Sequence, residues 1–239
     1  RLNFSGDIYR RDTRDMLTTG KVLPSVLGTG IPPENSADLK TTGFELTVSW
    51  RDKFDLAGKP LQYSIDFNLS DSRSKIIKFS NPTGTLTTFY EGMKIGEVWG
   101  LKVKGLYTTD EEAKNGPDQT EILMNPSLYP TTAGTLNYED LNKDGRITRG
   151  SYTLNDHGDL TVIGNTEPRY RFGTTLGASW NGIDLSLFFQ GVMKRNYAPD
   201  GSDHVFFGKY AQAWNVETVG HYQDRWREDN MDSNAYWPI

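Results

Sequence analysis

Two stretches of the chain alternate between apolar and polar residues without a fault. In Thr42–Arg51, Phe44, Leu46, Val48 and Trp50 fall on one side and Glu45, Thr47, Ser49 and Arg51 on the other. In Leu61–Ser70, Leu61, Tyr63, Ile65, Phe67 and Leu69 oppose Gln62, Ser64, Asp66, Asn68 and Ser70. Successive strand side chains point to opposite faces, so each stretch predicts a strand with one oily and one wet face. Globular strands usually run about 5–6 residues, whereas a strand crossing a bilayer needs roughly 9–11. The length of these alternations turns the oily face toward lipid.

The pattern returns late in the chain. Phe172, Thr174, Leu176, Ala178 and Trp180 alternate with Gly173, Thr175, Gly177 and Ser179, and Asn181-Gly182 follows. That dipeptide suits a two-residue type I′ hairpin, because both positions need positive φ. Ile183, Leu185, Leu187 and Phe189 then alternate with Asp184, Ser186, Phe188 and Gln190. A two-residue turn would set Trp180 opposite Ile183, Ala178 opposite Leu185 and Leu176 opposite Leu187, so both apolar sets share a face. An opening strand is visible in Leu2, Phe4, Gly6 and Ile8 against Asn3, Ser5, Asp7 and Tyr9.

The connections differ in length. Asp52–Pro60 and Asn181-Gly182 are short, whereas Arg11–Thr41, Asp71–Tyr170 and everything after Val192 are long. Walking along the strands, long and short alternate, so the long connections gather at one end. Short turns on one side and long loops on the other are the habit of outer-membrane barrels, and loops above about 12–15 residues are uncommon in compact soluble domains. The expected fold is therefore all-β: an antiparallel transmembrane β-barrel segment with long extracellular loops. Its parts are strands and a first long loop over 1–70, an extracellular excursion over 71–170, a barrel hairpin over 171–191, and a loop with a helix over 192–239. Trp50 and Trp180 both precede a short turn, where a girdle of aromatics would meet the interface. Within the excursion, Ile95, Val98, Leu101, Val103 and Leu106 among Gly96, Gly100 and Gly105 predict short strands. Thr108-Thr109-Asp110-Glu111-Glu112 reads as a helix start. Ala211, Trp214, Thr218, Tyr222 and Trp226 recur at helical spacing within Tyr210–Arg227.

Composition narrows the classes. The 239 residues are 36% hydrophobic and 12% aromatic, with a net charge of −5. An acidic balance without a basic run argues against nucleic acid as a partner. The absence of cysteine rules out disulfides and thiolate metal sites in this chain. No window reaches 18 consecutive apolar residues, which excludes a membrane helix but not a barrel. The chain opens inside a strand pattern and ends at Trp237-Pro238-Ile239 with no strand to close on, so it reads as an excerpt of a longer protein.

One segment carries candidate chemistry. Asp140-Leu141-Asn142-Lys143-Asp144-Gly145-Arg146-Ile147 has the form D-x-N-x-D-G-x-I. Oxygens at alternate positions can converge on a hard cation, Gly makes the sharp turn, and the next residue offers its carbonyl. The expected ligands of a structural calcium are Asp140, Asn142, Asp144 and Arg146, closed by Asp159 or Asp156 because Ser151 holds the twelfth position. An ion-free Asx-rich turn is the competing reading. His157, His204 and His221 have no ligand spacing, and Gly28-Thr29-Gly30 lies in a Pro-containing loop instead of at a strand-to-helix turn. Nothing argues for catalysis, so the chain is read as no enzyme.

Several blocks together resemble the SusC/RagA-type TonB-dependent outer-membrane transporters of Bacteroidetes. They are Asp7-Ile8-Tyr9-Arg10-Arg11-Asp12-Thr13-Arg14-Asp15-Met16-Leu17; Thr42-Gly43-Phe44-Glu45-Leu46; and Glu91–Gly100 running into Gly105-Leu106-Tyr107. The loop at 140–147 is followed by Val162-Ile163-Gly164-Asn165, Pro168-Arg169-Tyr170 and Phe172-Gly173, then by Leu185–Gly191, Asp224-Arg225-Trp226 and Asn234–Pro238. The chain departs from the family in the longer segment between the loop and the Val-Ile-Gly run, where Asp159 takes the usual carboxylate's slot.

The resemblance implies a large plugged barrel, of about 22 strands in outer-membrane transporters of this kind. It also implies a TonB link through a region outside this chain, a SusD-like surface lipoprotein as a lid, and import of oligosaccharides or peptides across the outer membrane. Glu45, Arg51, Gln62, Asp66, Asp184 and Gln190 would face the lumen or plug. Phe44, Leu46, Val48, Phe67, Leu185 and Leu187 would face lipid. Trp99, Tyr107, Trp214 and Trp226 are candidates to stack on a ligand. The rival from another class is a secreted carbohydrate-binding β-sandwich with a calcium loop. In that fold Phe44–Trp50 would bury their apolar side between two sheets.

Overall fold

The computed structural model describes residues 1–19, 28, 30–123, 125–197 and 219–238. Its strands are β1 (Leu2–Thr19), β2 (Pro33–Leu56), β3 (Lys59–Lys78), β4 (Glu97–Leu101), β5 (Val103–Leu106), β6 (Leu136–Tyr138), β7 (Leu160–Asn165), β8 (Arg169–Trp180) and β9 (Ile183–Lys194). Two short helices, α1 (Asp110–Asn115) and α2 (Val219–Gln223), complete the described elements. No helix is long and apolar enough to cross a membrane. The chain divides into two compact units. The first holds Arg1–Pro82, Thr88–Glu97 and Asn165–Asn196, and the second holds Thr83–Thr87, Val98–Gly164 and Tyr197–Ile239.

The first unit is one antiparallel sheet in the order β1-β2-β3-β8-β9. The alternations lock into a common register. Phe4 lies opposite Val48, Val48 opposite Phe67, Phe67 opposite Thr174 and Thr174 opposite Phe189. One row along, Leu2, Trp50, Ile65, Leu176 and Leu187 stand side by side. A slip of one residue would send a whole strand's apolar set to the wet face, so this agreement over five strands specifies the sheet. The late hairpin has the expected pairing of Trp180 with Ile183, Ala178 with Leu185 and Leu176 with Leu187. Asn181 and Gly182 take φ of 50° and 82°.

The long strands outrun their sequence signal. β2 and β3 continue to a two-residue turn at Ala57-Gly58, with φ of 51° and 76°, inside the region expected to be a nine-residue connection. At the other end β1 runs on to Thr19 and β2 starts at Pro33, so the expected loop over Arg11–Thr41 is mostly strand. The extra pairs escape an alternation rule because they are polar on both faces: Arg10 lies opposite Thr42, Arg11 opposite Thr41 and Asp12 opposite Lys40. A bulge at Arg14-Asp15 then breaks the register, with Asp15 at φ 53° and its amide donating to Asp38 Oδ1 at 2.9 Å.

No second sheet covers the oily face within this unit. Phe44, Leu46 and Val48 are half-buried, Trp50 is 37% exposed and Ile8 is 92% exposed. A sandwich would bury them. The unit's buried side chains, Ala37, Thr41, Ile76 and Tyr90, lie beyond the oily band instead. The sheet is open, with β1 and β9 as its edges and no closed barrel among the described residues.

The second unit contains the short strands foreseen among Val98–Leu106, with β5 paired to β6. Its core includes Leu106, Tyr107, Ala113, Ile147, Leu160 and Trp226. The helix start at Thr108–Glu112 also forms. Thr109 Oγ1 accepts the Glu112 amide at 3.1 Å, while Glu112 Oε2 accepts both the Thr108 amide and hydroxyl at 2.8 Å. Of the helix expected over Tyr210–Arg227, Val219–Gln223 is helical. Beyond it Arg225 and Arg227 enter bridges with Trp237 and Asn230, because Trp226 turns inward to the core. Residues 210–218 lie outside the described residues.

Candidate functional site

The face opposite the oily band gathers all six residues expected to line a lumen. Glu45 pairs with Ser70, Arg51 with Ser64, Asp66 with Ser49, and Gln62 with Lys53. Ser179 stands between Gln62 and Asp184, and Gly173 between Asn68 and Gln190. Arg51 and Asp66 lie 3.5 Å apart, but both are exposed, so the pair adds little stability. The face is not uniformly polar: Phe188 and Val192 share it and are exposed.

A small concavity of about 100 Å³ lies on the loop side of this face, lined by Tyr9, Glu45, Ser70, Ser72 and Arg171 among others. Tyr9 lies across from Gly43, where a Cβ would come within 2.6 Å of the ring and 2.7 Å of the Asp71 carbonyl oxygen. Only glycine lets the ring lie flat there.

At the short-turn end the oily face is rimmed by aromatics, as the positions of Trp50 and Trp180 suggest. Trp50 Nε1 donates to the Tyr63 hydroxyl at 3.2 Å and Trp180 Nε1 to the Leu56 carbonyl at 3.1 Å. Phe54 and Tyr63 meet edge to face at 6.1 Å. Lys59 Nζ donates to Asn181 Oδ1, joining the two short turns. From Phe44 to Phe54 the band runs roughly 33 Å along β2 at about 3.3 Å per residue. Tilted by about 45°, it rises roughly 23 Å, close to the roughly 25 Å height of a barrel's lipid belt.

The loop at 140–159 closes on its own amides. Asp140 accepts the Lys143 amide at 2.6 Å and the Gly145 amide at 2.9 Å. Asn142 Oδ1 accepts the Asp144 amide, Asp144 Oδ1 accepts the Arg146 amide, and Asn142 Nδ2 donates to Asp144 Oδ2. Asp159, wholly buried, accepts from the Leu141 and Thr148 amides at 2.8 Å each. Asp156 accepts from the Ser151 amide at 2.9 Å and its hydroxyl at 2.5 Å, which hold its carboxyl below the ordinary 3.8. Among the described residues no three carboxylate or imidazole side chains gather around a point. Each accepting oxygen keeps a lone pair, so these bonds are compatible with the expected cation ligands Asp140, Asn142, Asp144 and Asp159 and also hold the loop by themselves, with Asp159 clamping two backbone amides. Ile147 anchors the loop with no exposure at all.

The aromatic candidates separate. Tyr107 and Trp226 are 1% and 2% exposed and belong to the core, so stacking on a ligand is corrected for both. Their large rings supply burial that the loop-rich unit lacks elsewhere, and Gln119 Nε2 reaches the Tyr107 hydroxyl at 3.3 Å. Trp99 is half-buried against the His157 ring at 5.6 Å. Trp214 lies outside the described residues. A pair that sequence reasoning missed is Asp71 and Arg169. Only the Pro168-Arg169-Tyr170 block hinted at it.

No family model matches the chain. It is 24% identical over 215 residues to the TonB-dependent receptor P39 of Formosa agariphila, a match covering 79% of this chain and 20% of the relative. In fold it is similar to a solved structure of the RagAB peptide transporter, at a TM-score of 0.59 and 19% identity over the whole chain and 24% of the matched one. A structure of the RagAB peptide importer in the open-open state gives 0.57 and 20%, again over the whole chain and 23% of the other. The chain thus spans about a fifth of the curated relative and under a quarter of the solved chains. The chain is similar in sequence to a TonB-dependent receptor and in fold to part of the solved RagAB structures, in keeping with its SusC/RagA-type blocks.

Proposed function

We propose that this chain is a stretch of wall, with its outward loops, from a TonB-dependent importer of the Gram-negative outer membrane. The observation that carries the reading is the oily band that stays in register across five strands with a polar face behind it. Phe44, Leu46, Val48, Phe67, Leu185 and Leu187 touch lipid. Glu45, Arg51, Gln62, Asp66, Asp184 and Gln190 line the lumen or seat the plug. A SusD-like lipoprotein caps the loop side, and TonB acts through a region outside this chain. The cargo is an oligosaccharide or a peptide, and the likeness to solved peptide transporters favours peptide. Transport consists of capture under the lid, plug displacement powered from the inner membrane and passage along the polar lumen. The chain carries out no chemical step in this cycle.

The test is cysteine scanning of positions 44–51 in the full-length protein within outer-membrane vesicles. Positions 44, 46, 48 and 50 should react with a lipid-soluble maleimide, and 45, 47, 49 and 51 with a water-soluble one. Even positions that react freely with the aqueous reagent would end the reading. Even positions shielded from both reagents would instead support the secreted sandwich.

A further inference from the structure

On the oily face, the rows just past the band on the long-loop side change abruptly in character. The last apolar row is Ile8–Phe44, opposite Asp71. Next comes Arg10–Thr42–Arg73, and then Asp12–Lys40–Lys75, which a bridge extends to Lys94. The register is unbroken from the band to these rows, so all of them share the oily face. Lys40, Lys75 and Lys94 therefore stand directly side by side, with neighbouring Cβ atoms about 5 Å apart. Like charges placed so are destabilising; Asp12 lies opposite Lys40 but is paired with Arg10, and no ion pair among the described residues relieves Lys75 or Lys94. Arg10 is paired with Asp12 at 3.1 Å, and Asp71 is taken by Arg169. Lys40, Arg73, Lys75 and Lys94 make no ion pair among the described residues. Arg10, Arg73, Lys75 and Lys94 are exposed, and Lys40 is half-buried.

We infer that these rows form a docking site for the phosphate groups of an anionic membrane lipid in the outer leaflet. The inference rests on the outer-membrane reading above. Two things select a lipid phosphate over an acidic protein. The first is depth: the rows lie one and two strand repeats past the last oily row, roughly 7 and 14 Å along the strand. Corrected for a tilt of about 45° they rise roughly 5–10 Å, which is the thickness of a headgroup layer, about 5–8 Å per side. The second is that the opposite side of the sheet at this level is packed. Thr41 and Ile76 are buried there, and Thr41 bonds Ser74 at 2.8 Å. The charges therefore look outward from the wall. The short-turn margin of the same face is built differently, from Trp50, Phe54, Tyr63 and Trp180, with one lysine, Lys59, already bonded to Asn181. An anion at Lys40–Lys75–Lys94 cancels the repulsion and leaves its acyl chains along Phe44, Leu46 and Val48.

The experiment uses the full-length protein purified from outer membranes in mild detergent. Native mass spectrometry follows retention of added bis-phosphorylated lipid A, for wild type and for the triple variant Lys40→Gln/Lys75→Gln/Lys94→Gln. At about fivefold per lysine near an anionic surface, the triple variant should bind on the order of a hundredfold more weakly. The triple Lys→Arg variant should bind like wild type, and dephosphorylated lipid A should be lost from all three. Equal retention by wild type and the Gln variant, or equal retention of dephosphorylated lipid, overturns the inference alone. A Gln variant that keeps its lipid but loses a co-purifying protein partner also overturns it, in favour of a protein contact. Wild-type protein missing from the outer-membrane fraction overturns this inference and the transporter reading together.

Discussion

Arg169 forks onto Asp71 across 98 residues of chain: Nε donates to Oδ1 and Nη2 to Oδ2. The Tyr170 amide adds a third bond to Oδ1 at 3.3 Å, and the guanidinium lies 5.0 Å from the centre of the Tyr170 ring. The two side chains are 13% and 7% exposed, so this pair is largely desolvated. It fastens the start of β8 to β3 where the long excursion returns to the sheet. Removing one partner strands a buried charge, a loss of about 3 kcal/mol or more. Arg169→Gln is expected to lower the thermal unfolding midpoint of the full-length protein clearly. Asp71→Asn together with Arg169→Gln should cost less than the sum of the singles. Additive losses would show that the two do not act as a unit.

Val48 sits mid-band, with Phe4 and Phe67 as its neighbours, and Thr47 points the other way. In a lipid-facing band a charge at Val48 is costly, about 2–4 kcal/mol for Arg or Lys near the midplane and somewhat less for Asp. Val48→Asp should therefore block assembly into the membrane or lower the denaturant midpoint sharply. Thr47→Asp should stay within about 0.5 kcal/mol of wild type. Equal effects would mean that the two faces do not differ in environment.

Asp156 offers a pH test. Its bonds from the Ser151 hydroxyl and amide hold its folded pKa below the ordinary 3.8. A group depressed in this way adds stability that is fully present above the ordinary value and is lost as pH falls through the folded one. Protection of residues 148–159 from hydrogen exchange should hold down to about the ordinary carboxylate range and fail below it. In Asp156→Asn the loop should be less protected at neutral pH, and the contribution of this carboxyl to the acid-side change should disappear. An unchanged acid profile in the variant would assign the effect to another group.

Chelation tests the loop at 140–147. Because Asp140, Asp144 and Asp159 already hold backbone amides, proteolytic cleavage within 140–159 is expected to be the same in EDTA and in millimolar calcium. Cleavage that calcium suppresses would place a cation in this loop. Asp159→Asn, which keeps the shape but weakens the clamp on Leu141 and Thr148, should open the loop in either medium.

Strand identity, facing and hairpin pairing were legible in the chain because a strand's signal is local. Side chains alternate every two residues, so Phe44–Trp50 and Leu61–Leu69 announce their faces without reference to any partner. Asn181-Gly182 was equally legible, since its turn needs positive φ at neighbouring positions. The strand extensions were hidden because Arg10, Asp12, Lys40 and Thr42 are polar on a face where the pattern asks for oil. Only pairing with a neighbour reveals them as strand. The same holds for the loop: the spacing of Asp140, Asn142, Asp144 and Asp159 shows a turn rich in oxygens, and only the fold shows which backbone amides those oxygens accept. Tyr107 and Trp226 look like free rings in a loop-rich sequence until packing buries them. Contacts between residues far apart in the chain were decided by tertiary structure alone. The fork from Arg169 to Asp71 and the line of Lys40, Lys75 and Lys94 exist because register brings distant segments together, and register is a property of paired strands that no single strand carries.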